Sequence, residues 1–310
     1  MKFAHIADVH IGSWREAKLK EASSEAFFKA IDMSVEKEVD FVLIAGDLFN
    51  TSLPAVDRLK KVVLKLRELK DINIPVYVIP GSHDFSPSGK TMIDVLEAAA
   101  LLKNVVKGEI IDGKLKLNFT IDDKTGAKIT GMLGKKGMLE KKFYENLIRE
   151  NLENEDGFKI FMFHTAISEF KPKDLSQMEA SPLSFLPKNF SYYAGGHVHE
   201  KLEESVPEYG QITMPGPVFP CNFREIEKNP VGGFYIYDNS LEKPLQWYPV
   251  ELHKVHSLRF DCDEKTPEQI MEELSVSIRD KDFYNTIVTL RFKGTLHCAR
   301  LTEMDFSEIF

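Results

Sequence analysis

Short apolar runs separated by helix-patterned stretches make up the first third of the chain. Lys2–Ala7 reads as a buried strand, Phe41–Ala45 (Phe-Val-Leu-Ile-Ala) as a second, and Pro75–Pro80 (Pro-Val-Tyr-Val-Ile-Pro) as a third. Between the first two, Arg15–Glu38 has a helical composition. Between the next two, Val56, Leu59, Val62, Val63, Leu66 and Leu69 recur every three or four residues, the stripe of one amphipathic helix. Ser52 suits its N-cap and Pro54 its first turn, where a missing N–H costs little. Strands alternating with helices predict βαβ units with parallel strands.

The pattern then changes. Lys114–Ile121 and Ala127–Met132 alternate apolar and polar residues around Asp122-Asp123-Lys124-Thr125-Gly126, which predicts a hairpin. A helix is expected over Met138–Glu150 and a strand at Lys159–Phe163. Further strands are expected at Tyr192–Ala194, Gln211–Met214, Gly233–Tyr237 and Leu245–Val250. The fold class that results is α/β, with a two-sheet β-sandwich core flanked by helices over residues 1–252. From His256 onward, strand, helix (Pro267–Arg279) and strand (Thr286–Phe292) predict a small βαβ unit in a second domain, residues 253–310. The chain reaches Phe310 without a clear capping element, so this second domain is expected to continue beyond it.

Composition narrows the class. At 310 residues, one large or two ordinary domains are expected. With 43% hydrophobic and 28% charged residues, the chain is too apolar to be disordered. No apolar run approaches the roughly 20 residues of a membrane-spanning helix, and Asp8 arrives too early for a secretory signal. Three cysteines (Cys221, Cys262, Cys298), odd in number and without CxxC spacing, argue against a disulfide framework or a cysteine zinc site and for a reducing cytoplasm. The net charge of −8, from 48 acids and 40 bases, leans against a partner held only by neutralising phosphates.

The positions of the nine histidines change that picture. Five segments fall in loops just after predicted strands: Asp8-Val9-His10, Gly46-Asp47, Gly81-Ser82-His83-Asp84, His164, and Gly196-His197-Val198-His199. Carboxylates and imidazoles suit manganese, iron or zinc. Ligands at the carboxyl ends of parallel strands converge on one rim, the usual position of a site in an α/β fold. Each segment alone is common by chance; together they provide enough ligands for two ions, with Asp47 as the natural bridge.

The order Asp-x-His, Gly-Asp, Gly-(Asn)-His-Asp, His, Gly-His-x-His resembles the calcineurin-like metallophosphoesterase superfamily. Within it, Lys2-Phe3-Ala4-His5-Ile6-Ala7-Asp8-Val9-His10-Ile11-Gly12 and Ala45-Gly46-Asp47-Leu48-Phe49 resemble the SbcD-type DNA-repair exonucleases, also called meiotic-recombination-eleven nucleases. The resemblance implies one metal held by Asp8, His10, Asp47 and His199, and a second held by Asp47, Ser82, His164 and His197. It implies two manganese ions, His83 as proton donor or transition-state stabiliser, and Asp84 orienting His83. It also implies 3′-to-5′ exonuclease action on duplex DNA ends and endonuclease action on single-stranded or hairpin DNA. The implied partners are an SbcC-type (Rad-fifty family) ABC ATPase and a second copy of the chain, with Thr51–Leu69 and Thr91–Leu102 as candidate dimer segments and no membrane association. The tail resembles that family's DNA-binding capping domain.

Two positions depart from the pattern. Ser82 stands where the superfamily usually has asparagine, a shorter and weaker ligand, and Asn50 stands where several members have histidine. Asn50, Trp14 and Arg15 are candidate substrate contacts, Trp14 alternatively anchoring the helix that follows it. His5 inside the first strand reads as a hydrogen-bonded core residue. His253, His256 and His297 read as surface or packing residues, and Lys135-Lys136 with Lys141-Lys142 as a solvated helix face. The rivals are a small-molecule phosphodiesterase or phosphatase of the same fold, and a weakly active scaffold that binds DNA ends for the ATPase. Two divalent ions would add four positive charges where a phosphate sits, so the acidic balance does not exclude DNA.

Overall fold

The computed structural model describes residues 1–86, 89–297, 300 and 304–306; Cys298 and Phe310 lie outside them. Sixteen strands occur among the described residues: β1 (Lys2–Ile6), β2 (Phe41–Ala45), β3 (Val76–Ile79), β4 (Lys103–Asn104), β5 (Gly108–Ile111), β6 (Lys114–Leu117), β7 (Thr120–Ile121), β8 (Lys128–Gly131), β9 (Lys159–His164), β10 (Tyr192–Gly196), β11 (Leu202–Val206), β12 (Gly210–Met214), β13 (Gly232–Asp238), β14 (Leu245–Val250), β15 (Lys254–Asp261) and β16 (Thr286–Lys293). The helices are α1 (Ala17–Glu36), α2 (Val56–Asp71), α3 (Met92–Ala98), α4 (Lys141–Glu145), α5 (Glu150–Glu153), α6 (Phe223–Lys228) and α7 (Pro267–Ile278).

Two six-stranded sheets form, in the orders β14-β13-β1-β2-β3-β4 and β11-β12-β10-β9-β8-β7. Strands β1 to β4 run parallel in the first, and β8, β9, β10 and β12 in the second. Alternation along each strand explains the layers, since every second residue shares a face. Phe3, Phe41, Leu43, Tyr77 and Ile79 of the first sheet form one fully buried cluster with Ile129, Ile160, Met162, Tyr192 and Ala194 of the second. The second sheet buries its other face as well, through Phe161, Phe163, Tyr193, Ile212 and Met214. Helix α1 packs against β1, β13 and β14 and buries Ala22, Ala26, Phe27, Ala30 and Ile31, a stripe at helical spacing. His5 sits between the sheets, with Nδ1 3.1 Å from Tyr192 Oη and Nε2 3.1 Å from Gly195 O, as a hydrogen-bonded core residue.

Three local expectations need correction. Helix α2 begins at Val56 with Ala55 as its N-cap and no side-chain cap, so Ser52 and Pro54 lie before it. Lys114–Leu117 pairs with Gly108–Ile111 around Asp112-Gly113, both at positive φ, while the turn at Asp122–Gly126 joins only the short β7 and β8. Asp-Gly is a strong two-residue hairpin signal. The expected helix over Met138–Glu150 is broken into α4 and α5, because the backbone at 146–148 turns aside to pair with Leu115 through Asn146 O and Ile148 N.

By internal contacts the chain forms two units, Met1–Asn222 with Val231–Val250, and Phe223–Pro230 with Glu251–Phe310. In the second unit β15 and β16 pair in parallel with α7 between them. Arg291 on β16 grips the Glu227 carboxylate of α6 with Nε and Nη2 at 2.6–3.1 Å, which ties the Phe223–Pro230 segment into this unit.

Candidate metal centre

Parallel strands in both sheets place their carboxyl ends on one rim. Asp8 and His10 follow β1, Asp47 follows β2, Ser82 and His83 follow β3, His164 ends β9, and His197 and His199 follow β10. Asp8, His10, Asp47 and His197 all have φ between 48° and 87°. Such conformations are rare without glycine and cost of order 1–3 kcal/mol each, so they persist only where the surroundings impose them. Four on one rim mark it as a place where the fold stores strain.

The imidazoles gather in two groups about one carboxylate. His10 and His199 bring Nε2 atoms within 3.2 Å, and the His10 ring lies edge-on to His83 with centroids 4.7 Å apart. His164 and His197 stand with ring centroids 5.2 Å apart. Asp47 Oδ2 lies between the groups, 3.6 Å from His10 Nε2 and 3.1 Å from His164 Nε2. Asp8 Oδ1 is 3.8 Å from His199 Nε2. Asp8, Asp47 and His164 offer ligand atoms within 4.8 Å of one another, and so do His10, Asp47 and His83. Ser82 Oγ donates to Asp47 Oδ2 at 3.4 Å, so the serine faces the shared carboxylate.

Backbone contacts hold this geometry. Asp8 accepts from the His197 N–H through both oxygens, and Asp47 Oδ1 accepts from the His83 N–H at 2.7 Å. Gly81 is required because a Cβ there would overlap the Asp47 carboxylate. His164 lies against Ala45 O at 2.8 Å through Nδ1; with the proton on that nitrogen, Nε2 keeps its lone pair.

The donor set fits divalent cations. His164 Nε2 is buried beside Asp47 without a hydrogen bond to it, and His10 Nδ1 is likewise buried without a partner. Unsatisfied buried nitrogens of this kind are costly unless something electropositive meets them. Burial pushes the His10 and His197 imidazoles down to about 3 and about 4, which keeps them neutral and able to coordinate. Burial disfavours charge on His164 too, but the Asp47 carboxylate outweighs it and raises that imidazole, while the same pair holds Asp47 low. The centre therefore balances its buried carboxylates with positive charge from a proton or from a cation.

One expected role fails. Asp84 does not orient His83: it is buried and its carboxylate accepts from the N–H groups of Leu48, Phe49 and Gly81 at 2.9–3.1 Å. It ties together the loops after β2 and β3. Its own carboxyl is raised by burial and then by the Asp47 charge. His83 Nδ1 instead meets the backbone carbonyl of Asn50 at 2.9 Å, so Asn50 enters the site through its main chain. Trp14 donates its indole N–H to Pro220 O at 2.8 Å, and Arg15 is exposed.

Sequence reasoning passed over Cys221, which offers Sγ within 4.8 Å of ring nitrogens of His10 and His199. It was weighed only for disulfides and all-cysteine zinc sites. The available signal was its place in the loop after the expected strand Gln211–Met214, on the same rim.

Residues 1–201 match the calcineurin-like phosphoesterase family. The DNA double-strand break repair protein Mre11 of Archaeoglobus fulgidus is 32% identical over 74% of this chain and 52% of its own length. Its counterpart from Methanocaldococcus jannaschii is 29% identical over 93% of this chain and 72% of its own. The chain thus spans about half the length of the first of these relatives. Among solved structures, a dimetal phosphatase from Danio rerio is 12% identical, with a TM-score of 0.48 over 76% of this chain and 91% of that one. Among the described residues, no helix is long and apolar enough to cross a membrane.

Proposed function

The chain belongs to the calcineurin-like phosphoesterase family, and from that premise we propose that it is a metal-dependent DNA nuclease of double-strand-break repair. The observation that carries this reading is Asp47, one buried carboxylate placed between two groups of neutral or shared imidazoles. The likeness to Mre11 proteins supports DNA as the substrate. Asp8, His10, Asp47 and His199 would hold one cation, and Asp47, Ser82, His164 and His197 the other. Manganese suits this mixture of oxygen and imidazole donors. Such a pair supplies positive charge to the phosphoryl oxygens and lowers the pKa of water enough to make a nucleophile at neutral pH.

The chain's own residues do the rest. With Nδ1 held by the Asn50 carbonyl, a proton delivered from this ring would come from Nε2, facing the rim beside His10. As the bond from phosphorus to the leaving oxygen breaks, Nε2 gives up that proton and His83 ends neutral, still held by Asn50. Asp84 and Gly81 position the loop that presents His83. An ABC ATPase of the SbcC type, a second copy of the chain, and a cytoplasmic setting belong to the same reading.

The test is cleavage of end-labelled duplex DNA as manganese is titrated. Metal-dependent cleavage that disappears in Asp8→Ala supports the proposal. Intact DNA binding without metal-dependent cleavage, or turnover of a small phosphodiester but not of DNA, overturns it.

A further inference from the structure

Cys221 lies where the ion proposed for Asp8, His10, Asp47 and His199 would sit. Its Sγ and one ring nitrogen each of His10 and His199 are within 4.8 Å of one another, and the two Nε2 atoms are only 3.2 Å apart. Ligand bonds of roughly 2.0–2.3 Å put neighbouring donors around one ion about 3–4.6 Å apart, so this triangle needs little contraction to close on a cation. His10 is almost wholly buried and presents Nε2 to both His199 Nε2 at 3.2 Å and Asp47 Oδ2 at 3.6 Å. The loop bearing the thiol is fixed rather than incidental: Ala7 bridges to Pro217 and the Trp14 indole N–H donates to Pro220 O. Cys221 Sγ donates to Phe219 O at 3.4 Å, and the residue is half-buried.

We propose that Cys221 is an additional ligand to the cation between His10 and His199, a thiolate that shifts this position's preference from manganese toward zinc. Resting on the metal centre proposed above, the inference adds a donor of different chemistry. Soft thiolates select zinc, while carboxylates and water suit manganese. Coordination requires the thiolate, so the thiol proton leaves to solvent as the sulfur–metal bond forms. Without the thiol, affinity for zinc relative to manganese should fall by about tenfold or more, the scale on which groups around a metal site change its affinity.

Cobalt(II) titration of the metal-free full chain tests this, beside Cys221→Ser, whose side chain keeps nearly the same volume. The inference predicts ligand-field absorption from cobalt bound to imidazole and carboxylate in both proteins. A thiolate-to-cobalt charge-transfer band in the near ultraviolet should appear in the parent only. Zinc competition against manganese, read from bound metal, should show the tenfold drop in the variant. Ligand-field bands without a charge-transfer band, or a charge-transfer band that persists in Cys221→Ser, overturn the inference and leave the metal centre standing. No cobalt binding in the parent overturns the metal centre and the inference together.

Discussion

The loop after β3 carries two adjacent side chains with separate tasks. His83 is half-buried at the rim, its Nδ1 held by the Asn50 carbonyl, whereas Asp84 turns inward and collects three backbone N–H groups. The two should respond differently to truncation. Asp84→Ala leaves three buried donors without an acceptor, at about 1–3 kcal/mol each where water cannot reach them. Denaturant unfolding should show a loss of about 2 kcal/mol or more. His83→Ala should leave unfolding nearly unchanged and abolish cleavage; the reverse pattern would restore a catalytic role for Asp84. His5 gives a pH signature. Burial lowers its imidazole to about 3, against 6.5 in the unfolded chain. Between those values the unfolded state binds the extra proton. The stability His5 confers is therefore complete above pH 6.5 and is lost as pH falls toward 3, at up to about 1.4 kcal/mol per pH unit. His5→Gln should flatten that part of the acid unfolding profile; an unchanged slope would show that His5 does not set it. The candidate ligands were legible because residue type and loop position suffice to suggest them. The job of Asp84 was not, because two of its three partners are main-chain groups of a loop more than thirty residues away, which no side-chain pattern reports.

At the scale of elements, periodicity located β2, β3 and β9 well because each is a continuous buried run, whereas the short polar β4 carried no such signal. Phe41–Ala45 is strand from end to end and every residue in it is buried. The second sheet is covered on both faces, so Phe161 and Ile160 of one strand belong to different buried clusters. Phe161→Ala should therefore cost about 3–5 kcal/mol, the range for deleting a buried aromatic ring. A loss below about 1 kcal/mol in denaturant unfolding would contradict this packing. The expected helix over Met138–Glu150 misled because a helical composition does not reveal that Asn146 O and Ile148 N are taken up by Leu115. The hairpin at Asp122–Gly126 forms but is short, and the longer one at Asp112-Gly113 was missed although Asp-Gly carries the stronger two-residue signal.

At the scale of the whole molecule, topology turns scattered residues into a centre. Eight parallel strands fall in two packed sheets, and carboxyl ends among them carry Asp8, Asp47, Ser82, His164, His197 and, in the loop after β12, Cys221. The second unit draws in Phe223–Pro230 through Arg291 and Glu227. Arg291→Ala should speed amide hydrogen exchange in residues 223–230 while leaving β1 to β3 unchanged. Equal exchange in both proteins would show that the ion pair does not hold the segment. The central claim is that Asp47 joins two cations. Anomalous diffraction at the manganese edge from manganese-soaked crystals tests it most directly. The account predicts two peaks about 3.5–4 Å apart, both in contact with Asp47, one beside His10 and His199 and the other beside His164 and His197. A single peak, or two that do not share Asp47, would contradict it.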